Sequence, residues 1–127
     1  MPPFTSARQT RDPTGFSPHL PRQPIGVHLL THIVIWKIAA DEAATKAEHA
    51  GIITTELMSL PALIPEVQSM RVSTNVVDIP TNWDIVITAE YADEAALHTY
   101  IDHPEHQRVA AIVRGLVSDR AGIDYLA

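Results

Sequence analysis

Cysteine is absent from the chain, which excludes disulfides and thiolate chemistry and fits a reducing compartment. Basic residues are scarce beyond the first 26 positions. Arg8, Arg11 and Arg22 stand against Asp12 alone there. Taking three from nine Lys/Arg and one from fifteen Asp/Glu leaves six against fourteen, a net charge of −8 over residues 27–127. Phosphate backbones repel such a surface and no basic stripe offsets it, which argues against nucleic-acid and anionic-membrane partners. Long hydrophobic runs are missing as well. The most apolar stretch, Val27 to Ala40, is too short to span a bilayer and is broken by His28, His32 and Lys37. The start, Met-Pro-Pro followed by Arg and Asp, lacks the apolar run of a signal peptide, so a cytoplasmic location is expected. No glycine-rich phosphate cradle, Ser/His/Asp set or nucleotide fingerprint is present, and no flavin, haem or nicotinamide cofactor is expected.

What is present suits one small domain. The 127 residues are 46% hydrophobic, enough for a real core. Six of the ten prolines fall in residues 1–26 with no hydrophobic period among them, so that segment is expected to be a disordered tail. From Thr31 the pattern changes. Thr31 to Ile38 is rich in β-branched residues and reads as a strand with His32, Val34, Trp36 and Ile38 on one face. Asp41 is placed to cap a helix running to about Leu60. Its expected inner face is Ala43, Ala47, Ala50, Thr54 and Leu57, with Ile53 and Met58 alongside. Pro61 and Pro65 then predict a non-helical corner.

Val67 to Asn75 reads as a second strand, and Trp83 to Tyr91 alternates clearly enough to be a third. Asp93 begins a short helix to about Asp102 with Leu97, Tyr100 and Ile101 inward. Pro104 suits the first turn of another helix, whose inner face is His106, Val109, Ala110, Val113 and Val117. Gly122 to Leu126 supplies a last strand. The order βαββαβ defines an α+β fold of the ferredoxin-like kind, with a four-stranded antiparallel sheet covered by helices on one face. The other face carries Ile33, Ile35 and Val86 among Lys37, Thr88 and Arg71. An apolar centre of that kind calls for a partner, and a second copy of the chain is the simplest.

The segment Tyr100-Ile-Asp-His103-Pro-Glu-His106 carries the most chemistry. It brings a phenol and two imidazoles to one helix–helix junction, and imidazole exchanges protons near neutral pH. A helix N-terminus disfavours the imidazolium, so His106 is expected to stay neutral and able to accept a proton from a C–H beside a carbonyl. Tyr100 would hold the substrate oxygen as charge develops. The competing reading makes both of them core residues whose polar ends bond to backbone. His103 is expected to bond backbone at the turn. Trp36, Trp83 and Tyr91 read as core or pocket wall, and His19, His28, His49 and His98 as surface or tail. Side chains form no metal motif.

Residues 31–126 resemble the stress-responsive A/B barrel (Dabb) domain. The resemblance rests on Thr-His-Ile-Val-Ile-Trp-Lys-Ile at 31–38 and Leu-Pro-Ala-Leu-Ile-Pro-Glu-Val at 60–67. Tyr-Ile-Asp-His-Pro-Glu-His at 100–106 and Ile-Asp-Tyr at 123–125 complete it. The domain so marked spans 27–127. The family implies a homodimeric α/β barrel and no single activity. One branch, the plant polyketide cyclases of the olivetolic acid type, implies a catalytic Tyr and His at Tyr100 and His106 and a pocket histidine at His32. Where that branch has a further pocket histidine this chain has Ile85, so one wall is more apolar. Trp36 and His103 complete the expected substrate pocket. Some members hold a cation on main-chain carbonyls, here those of Pro61, Ile64 and Val67. The resemblance thus leaves three functions open: a ligand-binding or purely structural dimer, a cofactor-free cyclase-like enzyme acting on a small apolar or aromatic carbonyl compound, and, by analogy of fold, a cofactor-free monooxygenase.

Overall fold

The computed structural model describes residues 28–126, and the proline-rich segment 1–26 lies outside them. Four strands and four helices follow one another in the expected order. Strand β1 is Leu30–Ile38. Helix α1 is Ala43–Met58, and a one-turn helix α2 is Leu60–Leu63. Strands β2 and β3 are Ser69–Thr74 and Ile85–Tyr91. Helices α3 and α4 are Glu94–Asp102 and Pro104–Arg114, and strand β4, Val117–Leu126, ends the chain. The sheet order is β2-β3-β1-β4 and every pairing is antiparallel, so β1 is central.

Alternation along β1 and β3 decides which face is buried. Val34, Trp36 and Ile38 on β1 and Ile85, Ile87, Ala89 and Tyr91 on β3 all point under the helices and are buried. The helices close this layer with residues at helical spacing. Ile53, Leu57, Leu60 and Ile64 recur at intervals of four, three and four across the α1–α2 junction, and Leu97, Tyr100, Val109 and Val113 do the same for α3 and α4. The apolar stripe of α1 is therefore centred on Ile53 and Leu57. Ala43, Ala47 and Thr54, expected to form its inner face, instead line an open groove against the loop after β2, while Ala50 borders that groove and also packs against the core as expected. Met58 is largely exposed.

Three local expectations are corrected. Asp41 does not cap α1. Glu42 occupies the N-cap position, without a side-chain bond, and its carbonyl accepts the Lys46 N–H at 2.9 Å. Pro61 does not break the chain into a corner. It opens α2, where its missing N–H is not needed, and the turn comes at Ile64, held extended by the following Pro65. Strand β4 begins at Val117, five residues earlier than the alternation indicates. Gly115 closes α4 on the carbonyls of Ala111 and Ile112, and from Val117 onward the chain pairs along β1 back to Leu30. Val117 is thus a strand residue and does not belong to the inner face of α4.

Asp93 caps α3 as expected, its carboxylate accepting the Ala96 N–H at 2.8 Å. Among the described residues no helix is long and apolar enough to cross a membrane.

Candidate functional site

Helix α4 starts at a sharp junction, and that junction sets the site. His103 is at once the C-cap of α3 and the N-cap of α4; its Nδ1 accepts the Glu105 N–H at 3.0 Å, and Pro104 fills the first helical position. This bond holds the His103 ring at the turn and away from the cavity. One turn further on, His106 points inward. Its Nδ1–H donates to the Ile101 carbonyl at 2.9 Å, a main-chain oxygen that α3 leaves free at its end. With Nδ1 so engaged, Nε2 is the lone-pair nitrogen of the neutral ring.

The His106 ring lies 4.5 Å, centroid to centroid, from Tyr100, which is almost completely buried. Tyr100 in turn lies 6.3 Å from His32 and 5.1 Å from Tyr91. His32 is held from its own side. Its Nδ1 bonds to the Asp124 carboxylate, placed opposite it on β4 by the β1–β4 register. Two imidazoles therefore flank one phenol, each with Nδ1 tied down and Nε2 left over.

These three side chains border a cavity of about 190 Å3 between the sheet and α4. Its remaining wall is apolar: Val34, Trp36 and Ile87 from the sheet, Leu57 from α1, and Val109, Ala110 and Val113 from α4. Arg114 and Arg120 complete the lining. An apolar cavity of about 150 Å3 holds a benzene ring, so this one suits a single substituted ring.

Protonation follows from burial. Desolvation, with smaller contributions from His32, Arg120 and Arg114, holds the His106 pKa below the ordinary imidazole value, against the opposing effect of the Ile101 carbonyl. His106 is therefore neutral at physiological pH. Burial pushes the Tyr100 phenol up to about 12, with Tyr91 and Arg120 opposing the shift, so it remains a hydrogen-bond donor. Tyr91 is raised too, chiefly by burial and then by the neighbouring Tyr100. No group among the described residues lies in hydrogen-bonding geometry with its hydroxyl, although the Tyr100 phenol stands beside it.

The lowered His106 pKa has a consequence for stability. Below about pH 6.5 the unfolded chain takes up a proton at this position that the native state resists, so stability is lost as pH falls through the unfolded and then the folded pKa. Urea titrations from pH 7.5 to 5 are expected to show a smaller loss for His106→Asn than for the parent chain. Equal slopes would contradict the burial argument.

Of the residues singled out from sequence, the structure brings His32, Trp36, Tyr100 and His106 to one cavity. Ile85 and His103 are not part of its lining. Ile85 is buried opposite Trp36 at the start of β3, and Ile87, two positions along the same face, takes the place expected for it. Trp83 precedes β3 and faces an open groove, with the Lys37 ammonium 5.8 Å from its ring. His49, expected at the surface, is half-buried with Nδ1 enclosed and without a hydrogen-bond partner among the described residues. In the corner after α1 the Ile64 carbonyl already accepts the Val67 N–H at 3.1 Å. Among the described residues no group of three or more His, Asp or Glu could hold a metal ion. Sequence reasoning missed Asp124, Arg114 and Arg120. Only the even spacing of four between Arg120 and Asp124 on a strand signals that they share a face.

Together these features define a ferredoxin-like α+β subunit with a histidine–tyrosine cavity between its sheet and its last helix. Residues 30–127 match the Stress responsive A/B Barrel Domain, and the chain belongs to that family. Among curated proteins none matches the chain. Solved structures similar to it include a dimeric ferredoxin-like protein of unknown function from Bacteroides fragilis, 24% identical over 78% of this chain and 96% of that one, with a TM-score of 0.71. A dimeric ferredoxin-like protein of unknown function from Thermobifida fusca is 23% identical over 86% and 100%, with a TM-score of 0.68. A hydroxynitrile lyase from Passiflora edulis is 12% identical over 79% and 94%, with a TM-score of 0.66. At these identities the likeness shows the fold alone.

Proposed function

We propose that this chain is a homodimeric protein that binds a small aromatic or apolar carbonyl compound in the cavity and moves a proton on it without a cofactor. The observation that supports this reading most is the orientation of His106. Its Nδ1–H is committed to the Ile101 carbonyl, which leaves a neutral Nε2 as proton acceptor beside an apolar cavity. Tyr100, kept protonated by burial, supplies a hydrogen bond to the carbonyl oxygen as it gains enolate character. The imidazolium formed at His106 then returns the proton to carbon or to oxygen, so nothing is consumed. His32, oriented by Asp124, is a second group able to accept or return a proton at the opposite end of the phenol. A ring-closing condensation of the cyclase type uses the same enolate and is the particular reaction this machinery fits among the family's activities. An oxygenase reading has no observation in its favour.

Dimerisation is supported by the sheet's outer face. Ile123 is 61% exposed and Tyr125 43% exposed, and both share that face with the half-buried Ile33, Ile35 and Val86. The similar proteins from Bacteroides fragilis and Thermobifida fusca are described as dimeric.

The binding half of the proposal is tested with 2-tetralone, an uncharged bicyclic ketone with acidic benzylic C–H bonds. Because Trp36 lines the cavity, titration is expected to change its fluorescence saturably and to shift the ring protons of Tyr100 and His106 in NMR spectra. No saturable change with 2-tetralone or with smaller aromatic ketones would overturn the reading and leave His106 and Tyr100 as core residues.

A further inference from the structure

The cations of this acidic chain are not distributed at random. Arg108 is paired with Glu56 and Glu105, at 2.8 and 3.0 Å, and Lys46 with Asp84 at 3.5 Å. Lys37 lies over Trp83. Arg71, Arg114 and Arg120, by contrast, have no carboxylate partner among the described residues, and of these three Arg114 and Arg120 line the cavity. Arg114 ends α4, one turn from Ala110, while Arg120 reaches the same wall from β4.

The local structure explains why Arg120 stays unpaired. Arg120, Gly122 and Asp124 alternate onto the helix-facing side of β4, opposite Trp36, Val34 and His32. The carboxylate nearest along that row is Asp124, and His32 has taken it. The guanidinium lies back over Gly122, its Nη1 3.6 Å from where a Cβ would stand, and so is directed along the strand toward Asp124 and His32. Two guanidinium groups thus converge on a cavity whose floor is apolar and whose histidines are engaged. That is an arrangement for an anion, because guanidinium matches a carboxylate in both charge and fork geometry.

We propose that Arg114 and Arg120 form an acid-recognising wall, and that the ligand is a carbonyl compound bearing a carboxylate, with its ring or chain against Val34, Trp36 and Val113. This rests on the cavity being a ligand site, as proposed above, and adds the substrate class. The carboxylate sits at the arginines and the ring in the apolar part of the cavity, which leaves the carbonyl between Tyr100 and His106. On a chain of net negative charge, two arginines lining one cavity supply a local attraction for an acid that the chain as a whole does not.

The test compares phenylpyruvate with its uncharged amide, which has nearly the same shape, and uses 2-tetralone as a reference. Full-length protein is titrated with each by Trp36 fluorescence at low and at 0.5 M salt. Phenylpyruvate is expected to bind about tenfold more tightly than the amide at low salt, the worth of one charge-assisted contact, and high salt should shrink that preference. Arg114→Gln and Arg120→Gln, both at exposed positions, should each reduce it, and in the double variant the acid should bind no more tightly than its amide. If 2-tetralone binds but acid and amide bind alike, or if the preference survives in the double variant, the acid-recognising wall is overturned and the cavity reading stands. If none of the three compounds binds, the cavity reading itself falls.

Discussion

His106→Asn is expected to slow proton exchange on a bound ketone by about two to four orders of magnitude, the span that a positioned general base contributes. Asparagine is the informative replacement because its side-chain NH2 can still donate to the Ile101 carbonyl at the end of α3. The junction between α3 and α4 is kept, and what is lost is the Nε2 lone pair. The assay is deuterium incorporation at the benzylic carbon of 2-tetralone that adjoins the carbonyl, followed by NMR in heavy water, and it needs no knowledge of the natural substrate. Binding of 2-tetralone should be little changed, so the loss falls on the chemical step. In the parent protein the exchange rate should rise with pH through the depressed His106 pKa and then level off, because the base is active only when neutral. Tyr100→Phe should lower the plateau without moving that inflection, since the phenol acts as a donor and does not titrate below about pH 12. Unaltered exchange in His106→Asn would remove the catalytic half of the proposal and leave a binding protein.

The parts of this site that can be read from sequence are those where one local pattern dominates. Strict alternation in β1 and β3 placed His32, Trp36 and Ile87 under the helices, since a half-buried strand between polar turns has one way to face. The His-Pro-x-His junction likewise announced where His106 would point, because proline fixes the first helical position and the next turn follows from 3.6 residues per turn. Strand β4 carries no such signal. It is an edge strand whose residues are mostly exposed, and its apolar members Ala121, Ile123 and Tyr125 lie on the outer face, so the pattern points away from the side where Arg120 and Asp124 meet the cavity. Its register comes from pairing with β1, and that pairing alone brings Asp124 to His32 and Arg120 to the cavity. Helix α1 misled for a related reason. Four small or weakly polar residues, Ala43, Ala47, Ala50 and Thr54, look like the continuation of an inner face, but the buried residues of the helix are Ile53 and Leu57 in its C-terminal half. Which part of an amphipathic face is covered depends on where the helix crosses the sheet, and that is a tertiary property.

Placing a carboxylate at the centre of the outer sheet face, with Ile35→Glu, is expected to prevent the proposed dimer from forming. Ile35 pairs with Val86 on one side and Ala121 on the other, so it lies in the middle of the apolar patch and away from its rim. In a two-fold interface each substitution occurs twice, and the two carboxylates would face one another's surroundings across the axis. Burying unpaired charge there costs several kcal/mol, enough to raise the dissociation constant by about a thousandfold or more. Sedimentation at micromolar concentration should report twice the chain mass for the parent and a single chain mass for the variant. Thr88→Glu sits on the same face beside Ile33, and it should weaken association less because Thr88 is already polar. The cavity provides the control. The residues that line it lie beneath the opposite face of the sheet, so the monomeric variant should still bind 2-tetralone and keep its His106-dependent exchange. Retained association in Ile35→Glu would mean that the sheet face is not the interface. A monomeric variant that had lost binding would mean that pairing shapes the cavity from behind, through β1, whose odd-numbered residues lie on the outer face while His32, Val34 and Trp36 line the cavity.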